Sequence, residues 1–220
     1  MDLKLIKEKI PKELYEILEK EVKKLRPAQE KSINKGLLEG KNLLVCTPTA
    51  SGKTLIAELA SLKSIIEGKG KTIYIVPLKA LASEKYRDFR RKYDKIAKIA
   101  LSIGEIDSSD SYLAEYDLIV CTAEKMDSLL RHHAPWLTNI ATVIVDEIHL
   151  LNDQERGPTL EILLTILKKI LKNVQIIGLS ATIGNAQELA EWLDADLVMD
   201  EWRPVKLHKG VYLEGKIDFY

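Results

Sequence analysis

The chain has 220 residues, 46% of them hydrophobic and 30% charged, enough for one large domain with a core of its own. Its 33 basic residues balance its 33 acidic ones, which excludes a bulk electrostatic pull toward a polyanion, so any nucleic-acid contact must come from a local patch. No apolar run approaches the ~20 residues of a membrane span, and the lysine-rich N-terminus lacks a signal-peptide core, so a cytoplasmic protein without membrane contact is expected.

From Lys12 to Lys24, Leu14, Ile17, Leu18 and Val22 recur at helical spacing, which predicts an amphipathic helix. In Leu25-Arg-Pro-Ala-Gln29, Pro27 is placed to open the next helix. The Gln29 amide has an acceptor and a two-hydrogen donor, the complement of adenine's exocyclic amine and ring nitrogen. Alone it reads as a surface residue; upstream of a phosphate loop it becomes an adenine reader. Such a loop follows the apolar run Asn42–Cys46. Thr47, Pro48, Thr49, Ala50, Ser51, Gly52, Lys53 and Thr54 lead into Leu55–Leu62, which has helical spacing. In a strand–loop–helix of this kind, backbone N–H groups around Ala50 to Lys53 can point into one concavity at the positive end of the helix. The Lys53 ammonium can reach the outer phosphates, and the Thr54 hydroxyl is placed to bind Mg²⁺. Thr47 stands where G-x-x-x-x-G-K-[ST] usually has its first glycine, and a plain Ser-Gly turn is the alternative for this loop taken alone.

Gly68-Lys-Gly70 turns the chain into a strand, Thr72–Val76, and Pro77 opens another helix through Tyr86. Ile96–Ile103 reads as a strand, Gly104–Asp110 as a polar loop, Asp117–Thr122 as a strand and Ala123–Arg131 as its helix. Ala141-Thr-Val-Ile-Val145 is a strand buried on both faces, with Asp146 and Glu147 at its carboxyl end. Ligands of open parallel sheets bind outside the carboxyl ends of the strands, so these carboxylates belong to the same crevice as the phosphate loop. Asp146 would hold magnesium through its water shell, and Glu147 would orient or deprotonate an attacking water. An acidic strand end that caps the next helix explains one of the two carboxylates. Leu160–Leu171 is a helix, and Val174–Leu179 a strand that delivers Ser180-Ala-Thr182 to the same edge. Gly184–Leu193 is a helix and Leu197–Met199 a last strand. The alternation predicts an α/β fold with a mostly parallel sheet and helices on both faces. Cys46 and Cys121 fall in buried strands and read as reduced core residues. The segment from Trp202 to Tyr220 has no evident partner in the chain.

Together, Leu25–Gln29, the TPTASGKT loop, Pro77-Leu-Lys-Ala-Leu81, Thr122-Ala-Glu-Lys125, Asp146-Glu-Ile-His149 and Ser180-Ala-Thr182 resemble the ordered motifs of the first RecA-like domain of a superfamily-two helicase. The segments Pro77–Tyr86, Asp107-Ser-Ser-Asp110, Asp127–His132, Leu150–Asp153, Arg156–Glu161 and Trp202-Arg-Pro-Val205 look like those of the archaeal Hjm helicases of the Ski-like group, relatives of the helicase part of DNA polymerase theta. The resemblance covers nearly the whole chain. It implies a RecA-like P-loop domain over residues 1–200, with N-terminal helices in 1–40, and the start of a connection to a second RecA-like domain in 201–220.

The resemblance also implies roles. ATP with Mg²⁺ is the expected cofactor, with Gln29 on the adenine and Thr47 to Thr54 on the triphosphate. Thr54 and Asp146 would serve the metal, and Lys53, Asp146, Glu147 and His149 the chemistry. His149, Ser180 and Thr182 would couple nucleotide to nucleic acid. His149 alone would be a satisfied strand-end histidine, and Ser180 and Thr182 could be helix N-caps. The segments opened by Pro77 and Thr122 should offer backbone N–H groups and hydroxyls to single-stranded or forked DNA, with Lys79 and Lys125 adding charge; solvated helix ends are the bland alternative. Lys79 stands where the family commonly has arginine, which keeps charge but loses the bidentate fork. Arg131-His-His133 and Trp136 could extend the track, but a surface turn is the better reading. ATP sits between two RecA-like domains in this family and the second supplies an arginine finger, whose loss costs ~10³–10⁵ in turnover. The isolated chain is therefore expected to be a nearly inactive monomer, part of a 3′–5′ fork-acting helicase. A Ski-like RNA helicase and a nucleotide-dependent binding module remain the alternatives.

Overall fold

The computed structural model describes residues 1–104, 110–206, 208 and 210–219. Seven parallel strands form one sheet: β1 (Leu43–Cys46), β2 (Lys71–Val76), β3 (Ile99–Ser102), β4 (Leu118–Thr122), β5 (Ile140–Val145), β6 (Gln175–Ser180) and β7 (Asp196–Met199). Their order across the sheet is β3-β4-β2-β5-β6-β1-β7. Both faces are covered, which is why the strands read as continuous apolar runs rather than alternating ones. The helices are α1 (Lys12–Leu18), α2 (Pro27–Asn34), α3 (Lys53–Ile66), α4 (Lys79–Tyr93), α5 (Ala123–Arg131), α6 (Gly157–Ile170) and α7 (Ala186–Trp192).

Strand alternation divides the core in two. Leu43, Val45, Tyr74, Val76, Leu118, Val120, Ile144 and Ile177 face α1 to α4. Leu44, Cys46, Ile73, Ile75, Ile119, Cys121, Val143 and Val145 face α5 to α7. Full burial of each such side chain contributes roughly 1.5–3 kcal/mol, and the two layers together fix the sheet. Both cysteines are free and buried, as their strands predict.

The expected elements differ from the observed ones chiefly at their ends. The helix expected to reach Lys24 stops at Leu18 because the backbone beyond it pairs with the N-terminal segment. Leu3 N–H donates to Lys23 O (3.1 Å) and Leu25 N–H to Met1 O (2.8 Å). That segment forms a 3-10 helix over Leu3–Lys9, capped by Asp2. The strand expected from Ile96 begins at Ile99, since the N–H groups of Ile96 and Ala97 are spent on Tyr93 O at the end of α4. Helix α6 starts three residues earlier than its apolar period, at Gly157, where the Asp153 carboxylate accepts from the N–H groups of Glu155 and Arg156 just ahead of the first turn. Gly157 is needed there: a Cβ would lie 2.2 Å from Leu151 O.

The segment after β7 forms a two-stranded antiparallel hairpin, β8 (Gly210–Leu213) and β9 (Lys216–Phe219), exposed along its length. Three further 3-10 turns, Ser111–Glu115, Pro135–Asn139 and Ile148–Asn152, fall where no periodicity announced them. The Asp107-Ser-Ser-Asp110 motif lies, except for Asp110, outside the described residues.

Candidate active site

Because all seven strands are parallel, their carboxyl ends share one rim. On it, β6 lies between β1 and β5. The loop after β1 is pinned to β6 by Thr47 N–H, which donates to Ser180 O at 3.2 Å. The buried hydroxyls of Thr47 and Ser51 bond one another at 2.7 Å across the loop. Ala50 (φ 64°) and Gly52 (φ 94°) are both left-handed, and these two reversals turn the chain back into α3. Lys53 opens α3, and its ammonium donates to Thr47 O at 2.9 Å, drawing the loop into a closed cup. Burial lowers the Lys53 pKa, while the negative charges of Glu147 and Asp146 pull it back up. The lysine therefore senses both carboxylates at the end of β5, two strands away.

Gln29 braces this cup from α2. Its Oε1 accepts from Arg26 N–H (2.8 Å) and its Nε2 donates to Gly52 O (2.9 Å). Each end keeps one further bonding position, which is what an adenine edge would use. The Arg26 guanidinium donates to Ala50 O and lies 5.4 Å from the Trp202 ring centroid. Beside it opens a cleft of about 350 Å³, lined by residues that include Arg26, Gln29, Gly52, Thr54, Glu58 and Lys92. Two broader clefts, about 690 and 760 Å³, lie around Gly70, Lys71, Gln175 and Asp196 where the strands begin. They are at the opposite rim from every phosphate-binding or acidic motif, so size does not mark the site here.

Past β5, Asp146 N–H continues the ladder to Ile75 O (2.8 Å), and the next residue leaves it. Glu147 adopts a left-handed conformation (φ 53°, ψ 43°), a strained state for a residue with a side chain. It turns the chain into the Ile148–Asn152 turn. Asp146 is fully engaged: Oδ1 accepts from Glu147 N–H (3.1 Å), and Oδ2 accepts from the buried Tyr74 hydroxyl (3.0 Å) and lies 3.6 Å from Lys85 Nζ. Burial, then the Asp146 charge, push the Tyr74 pKa far up, which keeps the phenol a donor. Lys85 Nζ also donates to Thr54 Oγ1 at 3.2 Å. Thr54 and Asp146, the two expected metal residues, thus converge on a single cation position. A hydroxyl and a carboxylate are the hard oxygen donors Mg²⁺ prefers, so these residues fit that ion. His149 Nδ1 is 3.3 Å from Glu147 Oε2, close but not aligned as a hydrogen bond.

The coupling and nucleic-acid residues divide. Ser180 ends β6 beside Cys46, its buried hydroxyl next to the Cys46 thiol. Neither Ser180 nor Thr182 caps α7, whose N-cap is Asn185. Pro77 and Lys79 stand at the open start of α4, with Lys79 exposed. Thr122 and Lys125 turn inward. The Thr122 hydroxyl caps α5 by accepting from Lys125 N–H at 3.4 Å. The Lys125 side chain, expected to add surface charge, is 3% exposed and its ammonium pairs with Asp110 at 2.9 Å. Desolvating an ammonium is costly unless it is paired, and that pairing takes it off the surface. Trp136 is a core residue, and Arg131 pairs with Asp127 at the end of α5.

Residues 26–189, a stretch that contains all of these groups but Trp202, match the family model described as DEAD/DEAH box helicase. The chain belongs to that family. It is 56% identical over 202 residues to the ATP-dependent DNA helicase Hel308 of Methanocaldococcus jannaschii, which covers 89% of this chain and 17% of that protein. It is 51% identical over 207 residues to the Hel308 of Pyrococcus abyssi, 94% of this chain and 28% of that one. The chain therefore spans less than a third of the length of these relatives. Among solved structures, the DUF1998 helicase MrfA is similar with a TM-score of 0.72 and 26% identity, over 87% of this chain and 33% of that one. Its DNA-bound form has a TM-score of 0.74 at 24% identity, over 88% and 30%, a likeness of fold. The resemblance to archaeal Ski-like DNA helicases read from the motifs agrees with these relatives, and the RecA-like fold with these structures.

Three residues of this DEAD/DEAH domain escaped sequence reading. Lys85 had a signal: it falls on the stripe Ala82, Phe89, Tyr93 that α4 turns inward, where a lysine is out of place. Tyr74 is masked by the apolar run of β2. Arg26, inside a recognised motif, had no feature that set it apart from a solvated arginine.

Proposed function

We propose that this chain is the ATP-binding motor domain of an ATP-dependent DNA helicase. The observation that carries the reading is the convergence, on three adjacent strand ends, of the Lys53 loop, the Ser180 hydroxyl and the Asp146–Glu147 pair. The Thr47–Thr54 loop holds the triphosphate with backbone N–H groups, the α3 N-terminus and Lys53. Gln29 and the cleft beside it take the adenine. Thr54 and Asp146 hold Mg²⁺, which when bound neutralises phosphate charge. Glu147, set apart by its left-handed backbone and adjacent to His149, orients and deprotonates the attacking water. His149, Ser180 and Thr182 link this site to the strand track, on which Pro77 and Lys79 present the accessible contacts.

The Hel308 names favour DNA as the track of the whole protein, and a RecA-like core by itself does not discriminate a 2′-hydroxyl. The test is Mg-ATP turnover by this chain with no nucleic acid, single-stranded DNA or single-stranded RNA, beside Glu147→Gln. We expect nucleotide binding in both proteins, slow turnover in the wild type, and a further ~10²-fold or greater loss in Glu147→Gln, in line with a general base. Turnover insensitive to Glu147, or no nucleotide binding, would overturn the assignment. A full-length protein stimulated by RNA and not by DNA would overturn the substrate.

A further inference from the structure

The Asp146 side chain contacts an element outside the phosphate loop and the acidic strand end. Helix α4 sends Lys85 inward along the stripe of Ala82, Phe89 and Tyr93. Its side chain is 19% exposed and passes the Tyr74 ring, with Nζ 5.9 Å from the centroid. The ammonium sits 3.2 Å from Thr54 Oγ1 and 3.6 Å from Asp146 Oδ2. We propose that Lys85 is the resident counter-ion of the metal site, a positioning residue that keeps divalent cations out of the nucleotide-free domain and yields the place only to a metal that arrives with phosphates. The inference rests on the nucleotide-site reading above and names a regulation of that same site.

Charge bookkeeping supplies the reason. The charged groups around Lys53 are Asp146, Glu147 and Lys85. These two lysines offset these two carboxylates. A bare dication would bring a net charge of two into this partly buried pocket, and would share one carboxylate oxygen with an ammonium. Both terms oppose entry. A metal carried by a triphosphate brings its own counter-charge and most of its own oxygen ligands. Lys85 can then leave Asp146 on its flexible four-carbon stem and remain beside an anion. Tyr74, which donates to the same Oδ2 at 3.0 Å, holds the carboxylate in place during the exchange. Because Lys85 and Lys79 are on one helix, about 9 Å apart along its axis at 1.5 Å per residue, the exchange also ties metal arrival to the helix end that faces the strand track.

The test uses Mn²⁺ as the probe, followed by electron paramagnetic resonance of the free ion, in wild type, Lys85→Met and Lys85→Met/Asp146→Asn chains without nucleotide. Lys85→Met should bind Mn²⁺ about tenfold or more tightly than wild type, from relief of like-charge repulsion at short range. The added Asp146→Asn change should abolish the gain. Equal affinity in wild type and Lys85→Met would overturn the proposal. A second measurement needs no variant: amine acylation read by mass spectrometry should label Lys85 more with Mg·ADP than with ADP and a chelator. Unchanged Lys85 labelling would also overturn it. Binding of a fluorescent ADP to the same wild-type sample separates the two readings. If Mg·ADP binds and both Lys85 results are flat, only the counter-ion idea fails; if ADP does not bind, the nucleotide-site assignment fails first.

Discussion

Replacing Gly52 with alanine probes the backbone of the phosphate loop and the glutamine brace together. Gly52 holds φ 94° and ψ 30°, a left-handed conformation that costs a residue with a Cβ about 1–2 kcal/mol. The added Cβ would lie 2.5 Å from Gln29 Nε2 and 3.0 Å from Arg26 Cδ. Gln29 is 3% exposed and tied at both ends, so it gives way only by releasing a hydrogen bond, at a net cost of about 1 kcal/mol. The sum is about 2–3 kcal/mol for Gly52→Ala. In a Gln29→Ala background the nearer obstacle is gone, leaving the Arg26 side chain at 3.0 Å, and the cost falls back toward about 1–2 kcal/mol, a coupling of about 1 kcal/mol. Urea denaturation of the four proteins gives the cycle, and a fluorescent ADP titration reports whether the loop still binds. Equal costs of Gly52→Ala in both backgrounds would refute the brace. An unchanged midpoint with unchanged ADP affinity would refute the strain argument as well.

Lys125→Ala should destabilise the domain by about 1.5–3 kcal/mol, because it takes the buried ammonium away from the Asp110 carboxylate, which also accepts from the Ser102 hydroxyl; a loss of DNA affinity at unchanged urea midpoint would show that the lysine serves the surface after all. The two backbone N–H bonds of Asp153, from Arg156 and Glu155, hold its carboxylate below the ordinary range. With the folded pKa depressed, the stabilisation is present above the unfolded value of about 3.9 and is lost as pH falls through the folded one. Thermal melts should therefore show Asp153→Ala costing more near neutrality than in strong acid, and equal costs at both pH values would contradict the linkage. Burial pushes the Cys121 thiol up to about 12 and the Cys46 thiol upward as well. Neither should be alkylated by iodoacetamide in the native protein at mildly alkaline pH, and both should be in urea, read by intact mass; rapid native labelling would show that β1 or β4 opens.

The strands and most helices were legible because their physics is local. A run such as Thr142-Val-Ile-Val145 is unfavourable anywhere but between two apolar layers, and Pro27 advertises a first turn. The phosphate loop and the Asp146–Glu147 pair were legible for a related reason: the chemistry demands those groups at the end of a strand. What could not be read was long-range competition for the same backbone or charge. The N-terminal segment took the N–H and C=O groups that would have extended α1 past Leu18, and Asp110 claimed Lys125 from fifteen residues upstream. Lys85 is the subtler case, since an inward lysine announces a partner without naming it. The 3-10 turn after Glu147 follows from a backbone reversal that no periodicity encodes.

The sheet also serves as a ruler. With β6 between them, β1 and β5 are two strand spacings apart, about 10 Å at 4.7–4.9 Å each. That gap between the phosphate cup and the acidic strand end is set by main-chain hydrogen bonds rather than by side chains, so ordinary sequence drift leaves it unchanged. The opposite rim, where Gly68 to Gly70 and Lys172 to Asn173 turn the chain into β2 and toward β6, carries no such distance. Length changes belong there: an insertion between Lys172 and Asn173 alters the run-in to β6 and leaves its register intact, whereas a one-residue slip of β6 itself would reverse which face every one of its side chains occupies and displace Ser180 from the gauge.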